Sequence, residues 1–211
     1  MSLIDILVNE NSVKTPAIKS AFLKIKREDF LPGNVKNLAE VNEALPIGSG
    51  QTISQPAVVA FMLEQLQPKK GDKILDVGAG SGWTSALLAE IVGKTGKVFS
   101  IELVPELKEF GEKNLLKYKF VEEGIVNSVV GDGSKGYPDF EKTPELAKGF
   151  DKILASATSS EIPSAWRKQL RVGGRIVAPV GNSIKTILKK SETEFEEIDH
   201  PGFVFVPLIS K

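Results

Sequence analysis

A glycine-rich segment in the first half of the chain is typical of a ligand-binding turn. The stretch LDVGAGSGWTSALLA places Gly78, Gly80 and Gly82 between a predicted strand at 73–77 and a predicted helix. Glycines there permit positive φ angles and close approach of a ligand, while free amides at the helix start favour electron-rich groups. Trp83 occupies the last glycine position of the dinucleotide fingerprint, and no Walker-type Gly-Lys-Ser/Thr follows. The segment therefore predicts a nucleoside site of another kind.

Two acids follow the next two predicted strands. Glu102 ends the predicted strand at 97–102, where a carboxylate can accept both hydrogen bonds of a ribose diol. Asp132 lies between two glycines after the strand at 125–130 and could accept a hydrogen bond from an exocyclic amine such as that of adenine. Because the carboxyl ends of neighbouring parallel strands line one crevice, both acids are expected beside the same ligand. The alternatives are a solvated strand end for Glu102 and a simple turn around Asp132.

The segment IGSGQTISQP at 47–56 raises a second question, because it carries several polar groups but no base. Gln51, Thr52 and Ser54 stand directly before a predicted apolar helix, PAVVAFMLEQL. Ser54 could bind a substrate group. Alternatively it caps the helix, since Ser-Gln-Pro fits a helix start with proline in the first turn.

Five short apolar runs predict strands that are buried on both faces. They are nearly continuous in Ile, Val and Leu, and they alternate with the helix-like segments SALLAEIV, PELKEFGEKNLLKY and EIPSAWRKQL. The predicted strands are 73–77, 97–102, 125–130, 151–156 and 175–180. The expected fold class is α/β, a doubly wound, mostly parallel, Rossmann-like sheet with helices on both faces.

The two ends of the chain are expected to complete this architecture. Residues 1–45 predict an N-terminal helical cover on a catalytic core at 46–211, both within one domain, 1–211. Near the C-terminus, no helix-length segment separates SIKTILKK from FVFVPLI. These two runs therefore predict an antiparallel pair at one sheet edge, joined by the acidic stretch SETEFEEIDHPG. The segment 137–149 predicts a surface loop or short helix.

Composition narrows the classes of function. The 211 residues can bury a full core, and 27 basic residues balance 27 acidic ones, so no charged field points to nucleic acid or to an anionic membrane. The lack of cysteine excludes a thiolate nucleophile and favours an intracellular setting. Neither a signal peptide nor a membrane span is predicted. The single histidine, His200, cannot build a metal cluster, and beside Pro201 and Gly202 it is predicted to be a turn residue.

Together these motifs resemble the class I methyltransferases that use S-adenosylmethionine, and more narrowly the protein-L-isoaspartate O-methyltransferase family. GAGSG, the strand-end Glu102 and the GDG at 131–133 carry the wider resemblance, and LPIGSGQTISQP carries the narrower one. FDKILASAT, IPSAWRKQLRVGGRIVAPVG and FVPL follow in the family's order, and KREDFLP resembles its R-x-x-F-V-P segment. The resemblance implies a cytoplasmic, usually monomeric repair enzyme that methylates the α-carboxylate of L-isoaspartyl residues in damaged proteins or peptides.

The resemblance also implies which residues bind each ligand. In that family the serine of the Thr-Ile-Ser segment is the active-site residue, which is Ser54 in this chain. For S-adenosyl-L-methionine, with S-adenosyl-L-homocysteine as product, the implied binding residues are Gln51, Thr52, Ile53, Ser54, Asp76, Gly78, Ala79, Gly80, Ser81, Gly82, Glu102, Leu103, Gly131, Asp132 and Gly133. For the acceptor they are Ile53, Ser54, Val59, Ala157 and Thr158. The chain departs from the family pattern at Ala57, Val58 and Thr186, which bears on acceptor choice rather than on the cofactor.

Methyl transfer to a carboxylate suits a chain without an evident base. The acceptor is ionised at neutral pH because its reference pKa is roughly 3.5 to 4, so the reaction needs no general base. Two other hypotheses stay open: an O-methyltransferase acting on another carboxylate in a small molecule or modified peptide, and a non-catalytic cofactor-binding adaptor for damaged proteins. A nucleic-acid methyltransferase is disfavoured, since no basic stripe and no aromatic platform for a flipped base is present.

Overall fold

The computed structural model describes residues 2–210, and its first elements form the helical segment that the sequence predicted. These are α1 (Leu3–Asn9), α2 (Pro16–Lys24) and 3₁₀ turns at Arg27–Phe30 and Gly33–Leu38. Ser2 caps α1, because its side chain accepts a hydrogen bond from the amide of Asp5. Leu7, Ile18 and Phe30 are buried in the same apolar core as the central helices. The N-terminal segment therefore packs against α3 (Pro56–Leu66) and α4 (Trp83–Val92) and shares their apolar core, with these two helices lying between it and the sheet.

A short hairpin and a helix come next. The elements are β1 (Leu45–Gly48), β2 (Gln51–Ile53) and α3 (Pro56–Leu66). The two strands are antiparallel, and their connection contains Ser49 and Gly50, both with positive φ. Pro56 begins α3, where its missing N–H is not needed by the helix. The polar segment at 47–56 thus forms this hairpin and the turn that leads into α3.

The remainder of the chain alternates strands with helices and builds one seven-stranded sheet. The elements are β3 (Lys73–Val77), α4 (Trp83–Val92), β4 (Lys97–Glu102), α5 (Pro105–Leu116), β5 (Val126–Val130), β6 (Phe150–Ala155), α6 (Ser164–Gln169), β7 (Leu170–Val180), β8 (Ser183–Lys189) and β9 (Phe195–Pro201). Their order is β5-β4-β3-β6-β7-β8-β9. Neighbours from β5 to β7 are parallel, and β8 and β9 are antiparallel to their neighbours. The predicted α/β fold class, with its antiparallel C-terminal edge, is confirmed.

The strands in the middle of the sheet are buried on both faces, as predicted, but β5 is not. In β3 and β4 every residue after the first is buried. In β5 only Val126 is buried, and Val130 is 49% exposed. The prediction is wrong for this strand because β5 lies at the sheet edge, with β4 as its single neighbour. An apolar run alone does not show how many neighbours a strand will have.

The last strand of the sheet is not the segment that the sequence predicted. The acidic residues 195–201 form β9 and pair with β8 along its whole length, whereas FVFVPLI at 203–209 is not a strand. Ion pairs join β9 to basic residues beside it: Arg167–Glu197, Lys185–Glu197 and Lys190–Glu196. A charged strand is suited to an exposed edge, and a tight turn can join it to β8. The apolar run 203–209 is left to pack elsewhere.

His200 lies within β9, so the prediction that it is a turn residue is wrong. Its Nε2 is 3.2 Å from the hydroxyl of Thr186 on β8, and its ring meets Phe61 of α3 edge-on. The strand pairing of the acidic segment carries His200 into the sheet, which the neighbouring Pro201 and Gly202 did not indicate. The contacts with Thr186 and Phe61 give His200 a structural place in the fold.

Helix α5 packs unusually close to the glycine-rich turn between β3 and α4. A Cβ added at Gly111 of α5 would lie 2.8 Å from the carbonyl oxygen of Gly80, and one added at Gly82 would lie 2.9 Å from that of Gly111. Two glycines therefore face each other, and neither position has room for a side chain. Nearby, the Asn114 side chain donates a hydrogen bond to the carbonyl of Ser81 at 3.0 Å. These contacts hold the turn against α5.

The packing predicts that Gly111→Ala destabilises the protein. Alanine in a helix interior normally stabilises by roughly 0.5–1 kcal/mol relative to glycine, but the overpacking at this position is expected to reverse the sign and cost about 1–3 kcal/mol. Urea unfolding measures the difference in unfolding free energy. Gly33→Ala is the matched control, because nothing lies within 4 Å of its added Cβ. A Gly111→Ala variant as stable as the parent would contradict the contact.

Candidate active site

A cleft opens where the carboxyl ends of four parallel strands meet. Strand register brings Val77 of β3 level with Ile101 of β4 and with Ala155 of β6, so the turns that follow these strands face one another. The empty space of the cleft, including its open mouth, is about 620 Å³. The predicted residues that line it are Gln51, Thr52, Gly78, Gly80, Glu102, Leu103, Gly131, Gly133 and Ala157. Residues far apart in sequence therefore meet at one site, as the switch-point rule predicts.

The glycine-rich turn forms one wall of this cleft. Gly78, Gly80 and Gly82 have φ angles of +75°, +53° and +82°, so the prediction of positive φ is confirmed. A side chain at these positions would be strained. Gly78 and Gly80 line the cleft, while Gly82 is turned away and packs on Gly111. The turn thus presents backbone, rather than side chains, to a ligand.

Glu102 joins two turns at the edge of the cleft. One carboxylate oxygen accepts a hydrogen bond from the amide of Gly80 at 2.8 Å, and the other accepts one from the amide of Val104 at 3.0 Å. The residue is 7% exposed. Each oxygen has a further lone pair, which suits the hydroxyls of a ribose diol. A buried carboxylate that lines a cleft between backbone amides fits a nucleoside cofactor.

The GDG turn after β5 contributes backbone more than side chain. Gly131 and Gly133 line the cleft, and a Cβ at Gly133 would lie 2.4 Å from Val77 Cγ1. The Asp132 carboxylate accepts hydrogen bonds from the amide and hydroxyl of Ser134, and it lies 3.4 Å from the Lys135 ammonium. Asp132 therefore stabilises the turn that places the two glycines. Its predicted contact with the base of a cofactor stays a prediction.

Asp76 lies behind the glycine turn rather than in the cleft. Its side chain is fully buried, and one oxygen accepts a hydrogen bond from the Ser85 hydroxyl of α4 at 2.6 Å. The other oxygen has no partner among the described residues. Burial raises the pKa of Asp76 to about 7. The Ser85 hydrogen bond opposes this rise in pKa, and the nearby Glu102 charge adds to it. Asp76 therefore supports the glycine turn on the side that faces away from the cleft.

Ser54 lies between β2 and α3, where two hollows meet. On one side it lines a small hollow with Gly78, Trp83 and Ser156. On the other it lines a groove with Val58 and the segment 204–206. The residue that caps α3 is Gln55, and no side chain of the cap bonds to the helix, so the alternative that Ser54 caps α3 is wrong. Its hydroxyl makes no hydrogen bond with the described residues and is free for a ligand.

The other residues predicted around the acceptor lie in different places. Ile53 is 4% exposed but lines the small hollow beside Ser54. Val59 is 3% exposed and belongs to the apolar core, whereas Val58 lines the groove, and the contact of Val59 with an acceptor stays a prediction. Successive residues of a helix point about 100° apart, and a one-residue difference decides which of them faces the groove.

Two further predicted residues lie away from the groove. Ala157 lines the nucleoside cleft. Thr158 holds the C-terminal segment, because its backbone exchanges hydrogen bonds with Val206 and Leu208 and its hydroxyl donates to Gly181. Of the predicted site residues, those that do not line the cleft, the small hollow or the groove are Val59, Asp76, Gly82, Asp132 and Thr158.

Sequence reasoning missed the segment after β9. Residues 206–209 line the cleft beside the glycine turns, and 204–206 line the groove beside Ser54. Its apolar residues were a signal of burial, but an apolar run also predicts a strand, which is the interpretation that the sequence favoured. Trp166 was also missed: its indole N–H donates to the carbonyl of Gly133 at 2.7 Å and holds the GDG turn. A lone tryptophan in a short helix carries no sequence signal for that role.

The buried Asp76 carboxyl predicts a pH dependence of stability. Since its pKa rises from 3.8 to about 7 on folding, the folded state holds the proton more tightly, and the contribution of Asp76 to stability is fully present below pH 3.8 and is lost as pH rises to about 7. The difference corresponds to about 4 kcal/mol, as an order of magnitude. Asp76→Asn should flatten the dependence measured by urea unfolding at about pH 5 and pH 8. Glu10→Gln, an exposed acid, should leave it unchanged; equal slopes for Asp76→Asn and the parent would contradict the burial effect.

The position of Glu102 predicts a loss of cofactor affinity on substitution. Glu102→Gln keeps the size but replaces one acceptor oxygen with a donor, so one of its amide contacts and its charge are lost. A hydrogen bond to a charged group contributes roughly 1.5–3 kcal/mol, so the Kd for S-adenosylhomocysteine should rise about 10- to 100-fold. Calorimetric titration measures this, with the exposed Glu106→Gln as control. An unchanged Kd would mean that Glu102 only braces the two turns.

Comparison with known proteins identifies relatives along the whole chain. Residues 1–211 match the family model described as protein-L-isoaspartate(D-aspartate) O-methyltransferase. A protein-L-isoaspartate O-methyltransferase of Staphylothermus marinus is 40% identical over 218 residues, which cover 99% of this chain and 93% of that protein. One of Pyrococcus horikoshii is 40% identical over 215 residues, which cover 99% of this chain and 91% of that protein.

Solved structures share the fold. A β-aspartate methyltransferase of Plasmodium falciparum, in complex with S-adenosyl-L-homocysteine, superposes with a TM-score of 0.88 at 22% identity and covers 99% of this chain and 97% of its own. A protein-L-isoaspartate O-methyltransferase structure has a TM-score of 0.82 at 26% identity and covers 97% of this chain and 64% of its own. Within residues 2–210, no helix is long and apolar enough to cross a membrane. The full-length family match and the relatives at 40% identity show that the chain belongs to the protein-L-isoaspartate(D-aspartate) O-methyltransferase family.

Proposed function

We propose that this chain transfers the methyl group of S-adenosyl-L-methionine to the α-carboxylate of L-isoaspartyl residues in damaged proteins or peptides, with Ser54 binding the acceptor. The observation that carries the proposal is the position of Ser54. It borders both the hollow beside the glycine turn and the groove that opens outward from it. A polar group at that junction can hold an acceptor next to a cofactor. Relatives at 40% identity are named for this activity.

The groove beside Ser54 suits an uncharged stretch of peptide with a carboxylate at one point. It is lined by Ala44, Thr52, Ser54, Gln55, Val58, Ser156, Val204, Phe205 and Val206. None of these described residues carries a charge. An acceptor carboxylate is therefore bound by hydroxyl and amide groups, which leave its negative charge in place, whereas a lysine or arginine would reduce its nucleophilicity. The apolar wall can hold the flanking residues of the peptide.

The reaction requires no base from the protein. When bound, S-adenosyl-L-methionine supplies a methyl group on a positively charged sulfur. A lone pair of the acceptor oxygen forms the new bond to the methyl carbon, the carbon–sulfur bond breaks with its electron pair left on sulfur, and the carboxylate becomes a neutral ester. No proton moves, in keeping with an acceptor whose reference pKa is roughly 3.5 to 4. His200 lies on β9 against Thr186 and Phe61, away from the groove.

The contribution of the chain is to hold the two reactants in line. Glu102 and the glycine turn bind the nucleoside from one side, and residues 206–209 close the cleft from another. Ser54 fixes the acceptor. Orientation of this kind can supply on the order of 7 to 11 kcal/mol of the barrier, which explains why a site built from hydroxyls, amides and backbone suffices. Within this proposal the chain acts as a monomer in the cytoplasm, without nucleic acid or a membrane as partner.

The test is methyl transfer to paired peptides. The purified protein, incubated with radiolabelled S-adenosylmethionine, should form base-labile methyl ester on an isoaspartyl peptide and none on its aspartyl counterpart. Ser54→Ala should lower kcat/KM for the isoaspartyl peptide about 10- to 100-fold, because one hydrogen bond to a charged acceptor is lost. The Kd for S-adenosylhomocysteine should stay within about twofold.

Ser160→Ala is the matched control, because Ser160 is exposed and lines neither the cleft nor the groove. It should leave both constants unchanged. If neither peptide forms a methyl ester, the proposal that isoaspartyl residues are the acceptor is wrong. Release of S-adenosylhomocysteine with a different carboxylate would then identify the alternative methyltransferase, and cofactor binding without any turnover would identify an adaptor.

A further inference from the structure

Arg27 is a buried cation with no acidic partner. The residue is 4% exposed, and its guanidinium makes no ion pair with a described residue. It donates instead to four backbone carbonyls: those of Ala39 at 3.2 Å, Val41 at 2.9 Å, Glu43 at 2.6 Å and Ser54 at 3.3 Å. The guanidinium carbon also lies 5.4 Å from the centre of the Trp83 ring. Arg27 thus links three points of one loop to the residue at the acceptor groove.

Burial of this charge is unfavourable and calls for a reason. Desolvation lowers the pKa of Arg27 to about 10, although the Glu40 charge opposes the shift. The group therefore stays charged at neutral pH, and carbonyl dipoles have to replace its hydration. Only arginine offers several donors in one rigid plane that can reach four carbonyls at once. A buried arginine that organises backbone alone is suited to fixing a loop.

Asn42 lies in that loop, between two of the carbonyls that Arg27 holds. Its side-chain oxygen accepts a hydrogen bond from the amide of Ala57 at 2.9 Å, across 15 residues of sequence. The cap residue of α3, Gln55, makes no such bond with its own side chain. Asn42 thus satisfies a free amide in the first turn of α3 that a local cap would ordinarily satisfy. The half-buried Asn42 acts as the cap of α3 from outside the helix.

The two contacts lie at Ser54 itself and three residues after it, at Ala57. Arg27 binds the carbonyl of Ser54, and Asn42 binds the amide of Ala57, so the turn between β2 and α3 is held at both ends. We propose that Arg27 and Asn42 are positioning residues that set the Ser54 hydroxyl against the acceptor carboxylate. The proposal rests on the proposed role of Ser54. It makes the N-terminal segment a part of the catalytic apparatus, and not only a cover.

Asn42 offers the sharper test, since its loss removes a single bond. Asn42→Ala should lower kcat for the isoaspartyl peptide about tenfold, because a displacement of about 1 Å at a positioning group can cost that much or more. The Kd for S-adenosylhomocysteine should stay within about twofold. Asn42→Asp should restore kcat to within about twofold of the parent, since a carboxylate oxygen can accept from Ala57 and suits a helix N-terminus. Arg27→Lys should also lower kcat, because an ammonium cannot span four carbonyls.

The control separates positioning from stability. Glu64, further along α3, accepts hydrogen bonds from the amides of Lys14 and Thr15 and from the Thr15 hydroxyl. Glu64→Ala therefore cuts another tie between α3 and the N-terminal segment, away from Ser54. It should lower Tm and leave kcat unchanged. If Asn42→Ala lowers Tm alone, or if Asn42→Asp fails to restore kcat, Asn42 is a structural residue and the proposal is overturned.

A double variant ties the effect to Ser54. If Asn42 acts through that hydroxyl, Asn42→Ala combined with Ser54→Ala should be no slower than Ser54→Ala alone. Additive losses would show that Asn42 acts elsewhere. A normal kcat for Ser54→Ala would contradict both the proposed function of Ser54 and its positioning by Arg27 and Asn42. A reduced kcat for Ser54→Ala together with a normal kcat for Asn42→Ala would contradict the positioning alone.

Discussion

The carboxylate of Glu102 is the interaction on which the shape of the cleft depends. By accepting from the amides of Gly80 and Val104, it ties the turn after β3 to the turn after β4. Parallel pairing of β3 with β4 brings the two turns side by side, and the carboxylate keeps their backbones apart. A carboxylate buried without such partners would be costly, so the fold and the site need the same two bonds. The two hydrogen bonds to Glu102 therefore also set the shape of the cleft.

The glycine turn is supported by α5 and by Asp76, and each of these supports costs the protein stability. Gly111 leaves α5 without a side chain at the contact, where alanine would ordinarily favour the helix. Asp76 keeps a buried carboxyl behind the turn, and one of its oxygens has no partner within residues 2–210. Neither arrangement is what stability alone would select, and such local costs are typical of sites whose geometry serves a ligand. The turn is consequently held by packing and hydrogen bonds on the side away from the cleft.

Around the groove beside Ser54, the supporting groups come from the N-terminal segment and the far C-terminus. Arg27 and Asn42 hold the turn that carries Ser54, while residues 204–206 supply the opposite wall of the groove. The groove is therefore assembled from distant parts of the chain, and the residues that line it are uncharged. The cleft, by contrast, is formed largely by the turns that follow the parallel strands. Val58 and Val204 line the groove and not the cleft, so changes there alter the groove without replacing a residue of the cleft.

The alternation of apolar runs with helix-like segments was enough to predict the parallel sheet, because doubly buried strands need continuous apolar residues. The glycine turn, Glu102 and the Gln-Thr-Ile-Ser segment could also be found, since close backbone approach and strand-end acids leave local signals. The sequence was a poor guide at the C-terminal edge, where the acidic β9 pairs with β8 and makes ion pairs with Lys185 and Lys190 although it is not an apolar run.

Local patterns therefore determined the fold class, the cofactor side and the family. Only the tertiary structure decided that Val58 instead of Val59 lines the groove, that 204–209 form a wall instead of a strand, and that Asn42 caps α3 through an amide 15 residues away. The physical reason is that these outcomes depend on contacts between segments distant in sequence. A periodicity or a motif describes a residue and its neighbours along the chain, whereas hydrogen-bond partners across the fold are set by packing.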